Sequence, residues 1–122
     1  MMIVIIGEFP GLNEFIDANR IHHGRWNKGN AMKQRDQKLI MAQLPRWHTE
    51  KPVTLRYRFF CSNKKRDLDN ISGYFHKVFQ DALVSSGILN DDGWRNIRGF
   101  SDEFYIDRRR PRIEIELTEA EG

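Results

Sequence analysis

Cysteine is the scarcest residue type in this 122-residue sequence, with Cys61 as its single occurrence. One thiol cannot form an internal disulfide framework, which fits a reducing compartment. The apolar run "MMIVII" meets Gly7 and Glu8 at once, so it is too short for a signal peptide or a membrane span. No internal repeat or low-complexity tract is visible. We therefore expect a soluble, cytoplasmic protein with no membrane partner.

Zinc chemistry and nucleophilic catalysis also find little support. His22, His23, His48 and His76 do not follow a zinc-ligand spacing. Cys61 is a lone thiol near a predicted strand end, where a semi-buried structural role is expected. No other side chain is an obvious nucleophile, and no small-molecule cofactor is expected.

The charge balance is basic but moderate. Lys and Arg number 20 against 17 Asp and Glu, which gives a formal charge of +3 and a pI near 9.2. This balance is compatible with a nucleic-acid partner and does not require one. With 39% hydrophobic and 30% charged residues, the chain fits one globular domain over residues 1–122.

Hydrophobic periodicity predicts the order β-α-α-β-α-β-β. "MIVIIG" indicates a buried strand, "HHGRWNKGN" a loop, and "VTLRYRFF" a strand with one basic face. A long helix should follow residue 70 and end at Gly87, because apolar side chains recur at helical spacing. Two closing strands flank "RRRPR", which we interpret as a solvated hairpin tip rather than a phosphate contact. The predicted class is mixed α/β (α+β), with helices on a sheet of about four strands. Helical segments are predicted in "LNEFIDANRI" and in "AMKQRDQKLIMAQL", which Pro45 should end; the apolar positions of the long helix are Ile71, Tyr74, Phe75, Val78, Phe79, Ala82 and Leu83.

The segment "KKRDLDN" places cations directly before two carboxylates, Asp67 and Asp69. In an extended segment these side chains point the same way. Mg²⁺ binds one or two carboxylates, several waters and phosphate oxygens of a substrate. A third acid would come from Asp91 or Asp92 in "LNDDGW", provided that the chain folds back over the sheet.

Structural alternatives remain for each of these groups. Asp69 has an equally simple role as a helix N-cap that accepts from the backbone of Ser72 or Gly73. "NDDG" taken alone favours a turn. Lys77 either stabilises charge on a phosphate or pairs with Asp81 one helical turn away. A nucleotide-sugar transferase also uses such a pair of acids, but 122 residues leave little room for that domain.

Residues 64–98 resemble the signature of the RusA-type Holliday junction resolvases. The shared pattern is a basic run, then D-x-D-N, then a helix with a lysine that ends in "DALVSSG", then an acidic turn. The start "GEFPGLNEFIDANR" is similar to the N-terminal Pro- and Asn-containing turn of that family. The lysine is displaced by one helical turn, since Gly73 stands at the family position and Lys77 follows it. The turn "NDDGW" resembles the "NDGW" turn of a phage and prophage branch of that family.

The resemblance implies a homodimeric, Mg²⁺-dependent endodeoxyribonuclease that acts on four-way DNA junctions. It implies that Asp67, Asp69 and Asp92 hold Mg²⁺ (Mn²⁺ substituting), with Asp91 as the alternate third acid and Lys77 as a catalytic residue. A homodimer supplies two symmetric cuts. Such an enzyme would serve DNA recombination and repair in a bacterial host or a phage.

A DNA-binding enzyme needs an electropositive surface that contacts phosphates without reading sequence. Trp26 either stacks on an unpaired base or caps the core, and the core position is favoured. The alternative function is a non-catalytic nucleic-acid-binding protein of phage recombination or replication. Acids beside the basic run argue against it, because they repel phosphate unless a metal intervenes. The candidate DNA contacts are Arg20, Arg25, Lys28, Lys33, Arg56, Arg58, Lys64, Lys65 and Arg66.

Overall fold

The computed structural model describes residues 1–121. Across these residues it has three helices, a four-stranded mixed sheet and a small two-stranded hairpin, which confirms the predicted class. The hairpin lies in "HHGRWNKGN", where a loop was predicted, and pairs His23 with Trp26. In chain order the elements are β1 (Met2–Ile6), α1 (Leu12–Asn19), β2 (His22–His23), β3 (Trp26–Asn27), α2 (Lys28–Met41), β4 (Val53–Cys61), α3 (Leu68–Ser85), β5 (Ile97–Ile106) and β6 (Arg112–Glu119).

The strand order of the main sheet is β1-β6-β4-β5. β5 runs parallel to β4 because α3 carries the chain back between them, whereas β6 is antiparallel to both β4 and β1. β5 and β6 therefore lie on opposite sides of β4, and the prediction that "RRRPR" forms a hairpin tip is wrong. The connection instead crosses the end of the sheet. Asp107 N donates to Cys61 O at the end of β4, and Gly7 N, just after β1, donates to Pro111 O. Arg112 donates to the Asp107 carboxylate at 2.8 Å and lowers its pKa.

The long helix α3 covers one face of this sheet. All its predicted apolar positions are buried, together with Ser72. Its C-terminus is a Schellman motif, in which Ile88 N donates to Leu83 O and Gly87 N donates to Val84 O. Gly87 has φ +83, a conformation that glycine adopts without steric cost, so the predicted stop is confirmed.

Two other elements differ from their predictions. β1 is half-buried rather than buried, because it is an edge strand with Ile3 and Ile5 inward and its remaining side chains exposed. α2 begins at Lys28, three residues earlier than predicted, because the side chain of Asn27 caps it by accepting from Asn30 N at 2.9 Å. It ends at Met41, before Pro45.

A buried polar contact joins α2 to α3. The Tyr74 hydroxyl donates to the buried Asp36 carboxylate at 2.6 Å, and Arg35 donates to the same carboxylate at 3.2 Å. Burial and the hydrogen bond to Asp36 both raise the pKa of Tyr74. None of the helices within residues 1–121 is long and apolar enough to cross a membrane.

Candidate functional site

Asp67 and Asp69 lie at the N-terminus of α3, where the helix offers partial positive charge. The structural alternative for Asp69, a helix N-cap, does not hold, because the helix begins at Leu68 and Asp67 occupies the N-cap position. Both carboxylates are exposed, and neither forms a hydrogen bond or an ion pair within residues 1–121. Their oxygens are therefore available to an external ligand.

Asn70 fixes this acidic turn to α1. Its Oδ1 accepts from Asn13 N at 2.8 Å and so satisfies one of the unpaired N–H groups at the start of α1. Gly11 is the N-cap of α1 and has no side chain to do this. A Cβ on Gly11 would lie only 2.7 to 2.9 Å from the side-chain atoms of Asn70. The glycine of "FPGLN" and the asparagine of "DLDN" are thus a packed pair.

Glu8 and Arg66 hold the loop before the acids. Glu8 accepts from Ser62 N at 3.1 Å and pairs with Arg66 at 3.4 Å. Arg66 also donates to Phe9 O at 2.9 Å. The loop that carries Asp67 is therefore bound at several points to the segment between β1 and α1.

Asp91 and Asp92 lie at the other end of α3. Residues 90–96 form bends and turns, as the pattern "NDDG" favours, and Asp92 N donates to the Asp91 carboxylate at 2.8 Å. The helix between the two acidic ends has 18 residues, which spans about 27 Å. The turn lies beside Asp81 and Ser85 in the last turns of α3, so Asp92 stays far from Asp67 and Asp69. No group of three metal-binding side chains occurs within residues 1–121.

A family model described as endodeoxyribonuclease RusA matches residues 23–118, a span that includes both acidic ends. The chain belongs to the RusA family. Membership confirms the resemblance and implies the endodeoxyribonuclease activity of that family, the resolution of Holliday junctions. A search of curated proteins found no match. The assignment to a phage or prophage branch stays a prediction.

Lys77 of this RusA-family chain has no acidic partner among the residues that the structure describes. Lys77 is exposed, and the predicted pair with Asp81 is absent from residues 1–121 because Asp81 binds Lys33 of α2 instead. Lys77 follows Asp69 by eight residues, about 12 Å along the helix axis. It lies one helical turn from Gly73, which packs against Leu12 of α1, and one turn from Asp81, which pairs with Lys33 of α2, so it is on the flank of α3 nearest to those helices.

The RusA-family chain has fewer free cations for DNA than its sequence suggests. Arg56 and Arg58 point to the face of the sheet opposite α3, where the hydrogen bond from Arg56 lowers the pKa of Glu103. Ion pairs also engage Arg20, Lys33 and Arg66. The predicted DNA contacts that are exposed and have no ion pair within residues 1–121 are Arg25, Lys28, Lys64 and Lys65.

Trp26 does not cap the core, contrary to the favoured prediction. It is half-exposed on the β2–β3 hairpin, and its ring stacks on that of His23 with centroids 6.0 Å apart. The hairpin holds it outside the core, which leaves the base-stacking interpretation open.

His76 and Asp102 form a contact that sequence reasoning missed. His76 Nε2 lies 2.7 Å from Asp102 Oδ1, and its ring packs between Tyr57 and Phe100 at 4.6 Å from each. The register of β5 against β4 creates the pair, since Asp102 lies opposite Tyr57 on the helix-covered face. A signal was present: Asp102 interrupts an alternation of apolar residues in "FSDEF".

Proposed function

We propose that this protein is a Mg²⁺-dependent, structure-selective endodeoxyribonuclease that resolves four-way DNA junctions by paired symmetric nicks. Residues 1–122 would act as one endonuclease domain in DNA recombination and repair, in the cytoplasm where the DNA lies. The observation that supports this is the exposed, unpartnered pair Asp67 and Asp69, in a turn that hydrogen bonds of Asn70 and Arg66 hold beside the free cations Lys64 and Lys65. A non-catalytic binder has no use for such a pair, because the carboxylates repel phosphate.

The donor set fits Mg²⁺ better than a softer metal. Carboxylate oxygens with open solvent around them suit a cation that keeps several waters and takes phosphate oxygens as ligands. A bound Mg²⁺ (or Mn²⁺) would polarise the scissile phosphate and lower the pKa of a coordinated water. Asp67 and Asp69 would hold the cation, while the Asn70 and Arg66 contacts restrict how far the acidic turn can move.

The third acid would come from a second copy of the chain. Asp92 lies beside Asp81 and Ser85 near the C-terminal end of α3, whose 18 residues span about 27 Å, so one chain cannot supply all three carboxylates. A two-fold homodimer in which the α3 helices run antiparallel would bring the acidic turn of each copy towards the acid pair of the other. Each site would then combine Asp67 and Asp69 from one copy with Asp92, or Asp91 as the alternate, from its partner. Two such sites related by symmetry match two strands of a four-way junction.

The free cations would position the DNA. Lys64 and Lys65 adjoin the acid pair and would bind phosphates next to the cut, without reading sequence. Lys77 lies about 12 Å from Asp69 along α3, which favours a neighbouring phosphate over the scissile one. Arg25 in the hairpin turn and Lys28 at the start of α2 lie on either side of Trp26 in the sequence and offer a second contact to the DNA backbone.

A cleavage assay tests this function. A synthetic four-way junction and a matched linear duplex are incubated with Mg²⁺, with Mn²⁺ or with a chelator. We expect symmetric nicks on the junction alone, lost with the chelator and in Asp69→Asn, but retained in Asp17→Asn, which neutralises an exposed acid on α1. Tight junction binding without nicks in either metal would instead identify a non-catalytic binding protein.

Mixing two inactive variants tests the shared site. In a heterodimer of Asp69→Asn with Asp92→Asn, one of the two shared sites keeps all its carboxylates, so the mixture should nick the junction although each variant alone does not. If all three acids acted within one chain, both chains would carry a defect and mixing would restore nothing. Failure to recover nicks in a mixture shown to contain heterodimers would therefore refute the shared site.

A further inference from the structure

β5 is a long edge strand with exposed apolar side chains around it. It has ten residues and pairs only with β4 among the strands of residues 1–121, so its other edge carries unpaired N–H and C=O groups. Trp94 just before it is 98% exposed, Phe100 within it 53%, Ile106 at its end 40%, and Leu68 beside that end 57%. Such an edge favours pairing with another strand.

A groove lies at the far end of this strand from Trp94. It runs between the first turn of α3 and the last residues of β5 and has a volume of about 410 Å³. Leu68 and Ile106 line its exposed part, and Lys64 and Arg66 stand at its rim. An apolar floor with cations at the rim suits an aromatic side chain, because a ring buries its surface and attracts the cations to its face. The lining residues are Cys61, Asn63, Lys64, Arg66, Leu68, Ile71, Phe104, Tyr105 and Ile106.

We propose that β5 is the dimer interface, and that Trp94 of each copy enters the groove beside Leu68 of the other. Two β5 strands paired antiparallel about a two-fold axis place the start of one beside the end of the other. The strand spans about 33 Å, so Trp94 of one copy approaches the groove of its partner only in this orientation. The proposal deepens the proposed function and rests on it, because the site is incomplete without a second copy.

A second copy fits this surface better than an unrelated peptide. The surface is self-complementary, since each copy carries one exposed indole and one groove at opposite ends of the same strand. Asp92 lies two residues before Trp94, and Asp67 and Asp69 flank Leu68. The contact that buries Trp94 of one copy therefore also places Asp92 of that copy beside Asp67 and Asp69 of the other. The acidic turn would meanwhile approach the exposed Lys64 of its partner.

Sedimentation velocity at a series of protein concentrations tests the interface without DNA or metal. Trp94→Ala and Leu68→Gln remove exposed side chains, so the chain itself should stay folded, as circular dichroism can check. We expect each variant to raise the dimer dissociation constant at least tenfold. Leu39→Gln is the matched control, because Leu39 is 52% exposed on α2, away from β5, and should leave the constant unchanged.

The outcomes separate the interface from the nuclease. A dimer that both variants leave intact would overturn the β5 interface even if the junction is still nicked. A monomeric wild type at micromolar concentration would overturn the interface and the shared metal site together. Loss of nicks in Asp69→Asn is measured independently of either result.

Engineered cysteines test the predicted neighbours directly. The chain has one native cysteine, Cys61, which lines the groove, so the experiment is done in a Cys61→Ala background that removes this thiol. Trp94→Cys and Leu68→Cys introduced together should form a covalent dimer on oxidation, because the proposal places these positions in contact across the interface. Each single variant should give little covalent dimer. Equal cross-linking in the single and double variants would contradict the proposal.

Discussion

Replacing Gly11 with alanine should disturb the packing that positions Asp67 and Asp69, because the new methyl group collides with Asn70. The Cβ would lie 2.7 Å from Nδ2, 2.8 Å from Oδ1 and 2.9 Å from Cγ of Asn70. Backbone strain makes no contribution, since Gly11 has φ −84 and ψ 171, which alanine adopts freely. The perturbation is therefore a steric one between two residues that are distant in sequence.

The magnitude follows from the packing around Gly11. Overpacking a buried position costs about 1–3 kcal/mol. Asn70→Ala alone should cost about 1 kcal/mol, because Asn13 N loses the acceptor that caps α1. Once Asn70 is alanine, the colliding atoms are gone, and Gly11→Ala should be neutral or stabilise by up to about 1 kcal/mol through the unfolded chain. The two substitutions should therefore couple by at least about 1 kcal/mol.

A double-mutant cycle in urea measures this coupling. For a chain of 122 residues, 1 kcal/mol corresponds to a shift of about 4 °C in Tm, so a thermal scan provides a second reading. Junction cleavage in Mg²⁺ should fall in Gly11→Ala, since Asn70 holds the first turn of α3 that carries Asp69. If Gly11→Ala costs the same with and without Asn70, the packed pair does not exist and this reasoning fails.

Three further outcomes are expected. Tyr74→Phe should destabilise the fold by about 1.5–3 kcal/mol in urea, because it leaves the buried Asp36 carboxylate without its hydroxyl donor; a loss below 0.5 kcal/mol would contradict this. Lys64→Ala combined with Lys65→Ala should lower the slope of log K against log salt for duplex binding by about 2, and an unchanged slope would exclude both from phosphate contacts. The carboxyl of Asp107 has a lowered pKa in the folded state. Its contribution to stability should therefore be complete above its unfolded pKa and should disappear as the pH falls through the lower, folded pKa. Acid titrations of the stability of Asp107→Asn and of the wild type measure this, and identical curves would contradict it.

Local periodicity in the sequence was sufficient for the elements that define the fold class. The apolar positions of α3 repeat at helical spacing and are all buried, and Val53 to Cys61 alternate as a strand with one inward face. These patterns are reliable because neighbours along one helix or strand set them. The family signature is local for the same reason, since its parts lie along one helix and its two ends. Asp67, Asp69 and Lys77 could therefore be named as candidates from the sequence alone.

Only the tertiary structure decided which of those candidates meet. The 18 residues of α3 separate Asp92 from Asp69. The sequence predicts this helix, but it does not show whether the chain after the helix returns to the acid pair. The positions of β5 and β6 on opposite sides of β4, the Gly11–Asn70 contact and the acidic partners of Arg56 and Arg58 join residues that are distant in sequence. Such contacts depend on strand order and register, which no periodicity of a single segment determines.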